Sequence, residues 1–164
     1  MKKYANINGI LLSRSNYKEG DKEHFTFDEA SRLNVPSQKQ WEHMLELDYT
    51  WDDDKKGIWI GRGHEKKQES DICTFLPADG YRHYNGSLCT SGYNGYYWSS
   101  TPFTPDTALA YTFNFNSGGV ASNSNSCRHG FAVRCLSNEH KKEKTTLKSV
   151  LKACVRWVWE FLTK

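Results

Sequence analysis

The chain has 164 residues, 37% hydrophobic and 25% charged, with a formal net charge of +3. That length suits one domain with its own core plus an appendage, and the composition is not that of a disordered chain. Lysine is confined to the first 67 and last 24 residues, so no basic stripe interleaves with the aromatic-rich middle and no nucleic-acid partner is expected.

Met1-Lys2-Lys3-Tyr4-Ala5-Asn6-Ile7 begins as a signal peptide would, but no apolar run follows. Nor does any stretch approach the roughly 20 apolar residues of a membrane-spanning helix. Cytoplasmic synthesis without a signal peptide is therefore expected. The five cysteines, Cys73, Cys89, Cys127, Cys135 and Cys154, include no Cys-x-x-Cys pair and no zinc-ligand spacing with histidine. Free thiols in a reducing compartment are expected, with no metal and no cofactor.

In chain order, Ile7 to Leu12 reads as one short edge strand. Thr26-Phe27-Asp28-Glu29 is a capping box, followed by Phe27, Ala30 and Leu33 on one helical face. Ser37-Gln38-Lys39-Gln40 is a second, directly after Pro36, with Trp41, Met44 and Leu45 at i, i+3, i+4. Asp52-Asp53-Asp54 lacks the alternating ligand spacing of a calcium loop and reads as a solvated turn. Gly57 to Gly61 is a short buried strand bounded by glycines; Cys73 to Pro77 and Gly95 to Ser100 are further strands. From Ala108 to Asn116 the chain alternates, with Leu109, Tyr111, Phe113 and Phe115 expected inward and Ala110, Thr112, Asn114 and Asn116 outward. Phe131 to Leu136 closes the sheet. Arg82 to Asn94 and Ser117 to His129 read as long loops, of the kind that carries function.

Residues 138–144 form a charged linker, and Thr145 to Lys164 reads as one amphipathic helix. Leu147, Val150, Leu151, Cys154, Val158, Phe161 and Leu162 make its apolar face, beside a basic stripe of Lys148, Lys152 and Arg156. Docking on its own domain or self-association with a sister subunit is the expected role, with docking on a partner helix or a membrane surface as the alternative that Trp157, Trp159 and the basic stripe would suit.

One stretch differs in kind. Residues 80 to 130 contain no Lys, Glu, Gln, Met or Ile, and all thirty Lys, Glu, Gln and Met residues lie in the other 113. Long flexible side chains lose the most rotamer freedom when immobilised, so a Tyr/Ser/Asn/Gly/Thr segment without them has the composition of a recognition surface. A codon-level cause fits as well. Codons ending in a pyrimidine cannot encode Lys, Glu, Gln, Met or Trp, and randomised asparagine codons would yield residues such as His83, Tyr84, Cys89, Phe103, Asp106 and His129. Trp98 would then belong to a fixed scaffold.

Three motifs carry a family resemblance: Leu76-Pro77-Ala78-Asp79-Gly80-Tyr81-Arg82, Gly92-Tyr93-Asn94-Gly95-Tyr96-Tyr97-Trp98-Ser99-Ser100-Thr101, and Gly130-Phe131-Ala132-Val133-Arg134-Cys135. In that order they resemble the C-type lectin fold of the formylglycine-generating-enzyme branch, and more narrowly the variable proteins of diversity-generating retroelements. The resemblance covers roughly residues 5 to 137. It implies an α+β, C-type-lectin-like domain over 1–137, with two short helices packed on small antiparallel sheets, long loops, and a variable region at about 80–134. It also implies a hypervariable binding protein with no catalytic or metal residues, offering a polar-aromatic surface to a protein or glycan, on a phage tail or a cell surface. The binding set would be His83, Tyr84, Asn85, Ser87, Cys89, Thr90, Asn94, Phe103, Thr104, Asp106, Thr107, Thr112, Asn114, Asn116, Ser122, Asn123, Ser124, Asn125, Ser126, Cys127 and His129. Leu109 would join it but for its inward place in the alternation. The alternatives are a lectin or adhesin without diversification and an oxidoreductase related to formylglycine-generating enzyme. For the latter, Cys127-Arg128-His129 would have to supply a nucleophile and its base, which three adjacent residues rarely do.

Overall fold

The computed structural model describes residues 2–138; the linker and amphipathic helix expected over 138–164 lie, but for Asn138, outside the described residues. The chain starts with a hairpin where one strand is expected. Strand β1 (Tyr4–Ile7) pairs antiparallel with β2 (Ile10–Ser13), Ile7 opposite Ile10. The two-residue turn between them, Asn8-Gly9, has both residues at positive φ, 49° and 83°. Asn-Gly is the favoured pair for such turns, because their twist matches that of the strands they join.

Helices α1 (Phe27–Ser31) and α2 (Gln38–Leu45) begin at the two expected capping boxes. The Ser37 Oγ accepts from the Gln40 backbone N–H at 3.3 Å while Gln40 Oε1 accepts from the Ser37 N–H at 2.8 Å. At α1 the Glu29 carboxylate accepts the Thr26 N–H at 2.9 Å.

A three-stranded sheet follows, in the order β3 (Tyr49–Asp52), β4 (Gly57–Gly61), β5 (Cys73–Pro77). The acidic triplet is its first turn. Asp52 is buried: one carboxylate oxygen accepts from the Asp54 and Lys55 N–H groups, the other from Trp59 Nε1 at 2.9 Å. Those donors hold its carboxyl below the usual carboxylate range, the Trp59 indole being the largest cause. A short hairpin, β6 (Tyr81–Arg82) with β7 (Leu88–Cys89), lies within the segment expected to be a loop.

The last sheet has the order β10-β9-β8, from β8 (Gly95–Pro102), β9 (Leu109–Asn116) and β10 (Gly119–Ser126). Strand β10 corrects the long loop expected over 117–129: it pairs with β9 along all eight residues, across a tight Ser117-Gly118 turn. Val-Ala-Ser-Asn-Ser-Asn-Ser has no apolar period of its own, so its strand state comes from the β9 edge it completes. Residues 131–136 thread through the core by single bridges, Phe131 to Phe25, Ala132 to Tyr97 and Leu136 to Leu12, in place of the continuous strand expected.

The β8–β9–β10 sheet is buried on both faces over part of its length. Tyr97, Phe113 and Phe115 join the core built on Trp41, Met44, Ile58, Ile60 and Leu76. Trp98 and Ala110 face the other way, into a second cluster with Phe25, Ala30, Val35, Phe131 and Val133. That corrects the expected outward placement of Ala110 and Thr112. Thr112 stands opposite Trp98 in register and is 1% exposed. Gly95 is required by the close approach on this sheet, since a Cβ there would lie 2.1 Å from the Phe115 ring. Buried Arg134 ties the layers together: Nε donates to Asn16 Oδ1 at 2.6 Å, Nη1 to the Ser13 carbonyl at 2.8 Å and Nη2 to the Phe75 carbonyl at 2.6 Å.

No helix among the described residues is long and apolar enough to cross a membrane.

Candidate functional site

The β6–β7 hairpin is clamped at both ends. Gly80 N–H donates to the Asn94 carbonyl at 2.8 Å, and Arg82 and Gly130 exchange two backbone hydrogen bonds of 2.8 Å. Gly80 has φ +69°, and a Cβ there would lie 2.1 Å from the Cys89 carbonyl oxygen, so only glycine lets the hairpin close on itself. At the tip the Asn85 side chain accepts from Ser87 N–H at 3.0 Å and Oγ at 2.7 Å, an Asx turn that needs no outside support.

Because Arg82 stands opposite Gly130, the pleat sends Tyr81 and His83 to the same side as His129 and Phe131. A continuous aromatic run follows, from core to solvent. Trp98 packs on Phe131 with centroids 4.5 Å apart; Phe131 stacks on Tyr96 at 5.3 Å; Tyr81 meets Tyr96 edge-on at 5.1 Å and His129 at 5.4 Å. His129 lies 4.9 Å from His83, whose ring in turn lies 4.0 Å from Tyr84. The Arg128 guanidinium caps the run, 5.0 Å from the Tyr84 ring centre. Rigid rings held edge to face give a platform little entropy to lose when something binds it.

The platform is polar where it meets water. The Nδ1 atoms of His83 and His129 are buried without a hydrogen-bond partner. Burial, then the nearby His83 and Arg128, lowers the His129 pKa. Burial, with a hydrogen bond to Cys89, raises that of the Tyr81 phenol. Tyr84 is 60% exposed at the outer end of the run, while Leu88, opposite Arg82 in register, faces the other side of the hairpin.

The expected binding set divides into five places. His83, Tyr84, Asn85, Ser87, Cys89, Thr90 and Asn94 lie on or beside the hairpin, exposed or half-buried, and His129 meets them across the strand pair. Asn114 is opposite Tyr96 in register and shares its face of the sheet with Asn123 and Asn125, so Tyr96 joins this polar strip to the platform. Thr112 is on that face but buried, its hydroxyl donating to the Asn123 carbonyl at 3.1 Å and accepting from Asn125 Nδ2 at 2.7 Å, so it leaves the surface set as a correction. Ser122, Ser124 and Ser126 point to the opposite face of β10, level with Phe113, Tyr111 and Leu109, where Ser122 borders a groove against α2 with Trp41 and Leu45. Phe103, Thr104, Asp106 and Thr107 form the β8–β9 connection, Phe103 packed edge-on against Tyr111 at 5.3 Å, and Asn116 caps the β9–β10 turn. The single shared face expected for residues 80 to 130 is thus split by the alternation of one edge strand.

Arg128, Tyr81 and Tyr96 belong to the platform and were not in the expected set. The signal for Arg128 was its position between Cys127 and His129; Tyr81 and Tyr96 stand inside the motifs that carry the resemblance.

The Cys127-Arg128-His129 run makes no nucleophile–base pair. Cys127 Sγ contacts the Thr107 carbonyl at 3.8 Å, burial pushes its thiol pKa up, and the His129 ring lies against Tyr81 and His83. Cys73, Cys89, Cys127 and Cys135 are free thiols, and among the described residues no group of three or more His, Cys, Asp or Glu could hold a metal ion.

Residues 63–136, which span β5 to β10 and the whole platform, match a family described as Domain of unknown function (DUF8237). No curated protein and no solved structure matches the chain.

Proposed function

We propose that this chain is a non-enzymatic, hypervariable ligand-binding protein with a C-type-lectin-like fold, diversified by a retroelement. It presents the platform of His83, Tyr84, Arg128 and His129, with its flanking Asn strip, to a protein or glycan. One observation carries the reading. Tyr84 and Arg128 lie exposed at the outer end of a run of packed rings that reaches back to buried Trp98, inside the stretch that lacks Lys, Glu, Gln and Met. Exposed aromatic area clustered on a rigid base is what recognition surfaces use.

The one tryptophan of that stretch supports the division between scaffold and variable surface. Trp98 is wholly buried and donates Nε1–H to the Phe25 carbonyl at 2.6 Å, so it belongs to the scaffold. The Leu12–Leu136 bridge, which joins the two ends of the domain beside two short helices, supports the lectin-like fold. Display on a phage tail or a cell surface, in several copies, would raise a weak single-site affinity by a factor of about 10²–10⁴. Self-association through residues 145–164 would supply the copies. Sedimentation of the chain with and without residues 139–164 tests that part, a larger species being expected only with them.

Deep sequencing of the gene across its natural population tests diversification. Substitutions are expected to concentrate in pyrimidine-ending codons of residues 80–134, with the codons of Gly80, Gly95, Trp98 and Arg134 constant. Substitutions spread evenly over residues 2–138 would refute it and leave a fixed lectin or adhesin.

A further inference from the structure

The platform has an excess of one kind of chemistry. Arg128 makes no ion pair and no side-chain hydrogen bond among the described residues; its guanidinium rests only on the Tyr84 ring. Guanidinium donors left facing solvent on an aromatic face are ready to take a carboxylate or sulfate. In the two imidazoles beside it Nδ1 is buried, which leaves Nε2, neither buried nor hydrogen-bonded among the described residues, as the nitrogen that can donate to a ligand. No carboxylate of the described residues pairs with any of the three. The nearest ionisable neighbours on that side are the Tyr84 and Tyr81 phenols, with Cys89 hydrogen-bonded to Tyr81. The other charged groups near this strand pair, Arg82, His24 and Glu23, belong to the opposite side, towards which a Gly130 Cβ would point.

A cationic ligand would meet Arg128 already over the ring, and a purely apolar one would cover a guanidinium and two imidazoles without replacing their water. Deepening the binding function proposed above, and resting on it, we infer that Arg128, His83 and His129 form a subsite for one anionic group of the ligand, a carboxylate or a sulfate. Its remaining bulk lies on the Tyr84 ring edge. The Arg128 side chain holds the anion, and the imidazoles donate to it.

The experiment is an NMR titration of the full chain, reading the His83 and His129 ring protons, with sodium glucuronate, inorganic sulfate and neutral glucose as probes. Glucuronate or sulfate is expected to shift both rings saturably while glucose at the same concentration does not. A response to glucuronate alone assigns a carboxylate, and one to sulfate alone a tetrahedral anion. Arg128→Gln, at an exposed position, should weaken it about tenfold, the effect of one charge-assisted hydrogen bond, with an unchanged melting temperature. An equal response to glucose, no response at tens of millimolar at pH 5.5, or unaltered affinity in Arg128→Gln overturns the subsite. Selecting binders from a library randomised at the exposed hairpin positions distinguishes the two readings: if selection succeeds and the titration fails, only the anion subsite falls.

Discussion

Replacing Trp98 with phenylalanine separates scaffold from surface most cleanly. The indole is fully buried, packed edge-on against Phe27 at 5.4 Å and against Phe131 at 4.5 Å, with its N–H on the Phe25 carbonyl. Phenylalanine loses that hydrogen bond, worth about 1 kcal/mol net. The carbonyl is not orphaned, because it also accepts from the Phe131 N–H at 2.9 Å. The smaller ring leaves part of the cavity unfilled, which costs about 1–2 kcal/mol more. The sum is about 2–3 kcal/mol, or a melting temperature lower by about 7–10 °C for a domain of this size. Tyr84→Ala, by contrast, removes an exposed ring that lies against His83, His129 and Arg128, and should cost under about 1 kcal/mol. Thermal melts followed by near-ultraviolet circular dichroism, with urea titrations beside them, measure both. Equal losses for the two variants, or a loss under about 1 kcal/mol for Trp98→Phe, would refute the division of labour.

Gly95→Ala should destabilise by about 1–3 kcal/mol, since the added methyl meets the Phe115 ring; a neutral result in urea would contradict the close approach. Burial lowers the pKa of both His24 and His129, so the unfolded chain takes up protons first, and stability should fall as pH drops below about 6.5. Asp79, its pKa raised by burial, acts in the opposite sense at lower pH, favouring the folded state as it protonates. A urea midpoint that does not move between pH 7.5 and 5.5 would be inconsistent with the two histidines. Burial pushes the Cys73 thiol up to about 11, so it should be the slowest of the four described thiols to alkylate in the folded protein at pH 8, as peptide mapping would read. Cys89→Ser and Cys127→Ser, singly or together, should leave ligand binding within twofold, whereas abolished function would revive a thiol chemistry.

The sequence alone determined those features whose cause is local. Both capping boxes stand at the helix starts they announce, and Gly57–Gly61 and Cys73–Pro77 are strands with the bounds their glycines and proline mark. The Asn8-Gly9 hairpin was legible too, in a dipeptide read as part of one strand. Lack of Lys, Glu, Gln and Met marked out the stretch that carries the platform, because side-chain type alone sets rotamer entropy. Tertiary structure decided the rest. Strand β10 has no hydrophobic face to betray it, and β9 supplies both its pairing and its register. Thr112 is buried because a second core lies beneath its face of the sheet, which alternation along one strand cannot reveal. His83 and His129 are 46 positions apart and adjacent only because Arg82 pairs with Gly130. Contacts between distant segments depend on how whole elements pack, and local preferences carry no information about them.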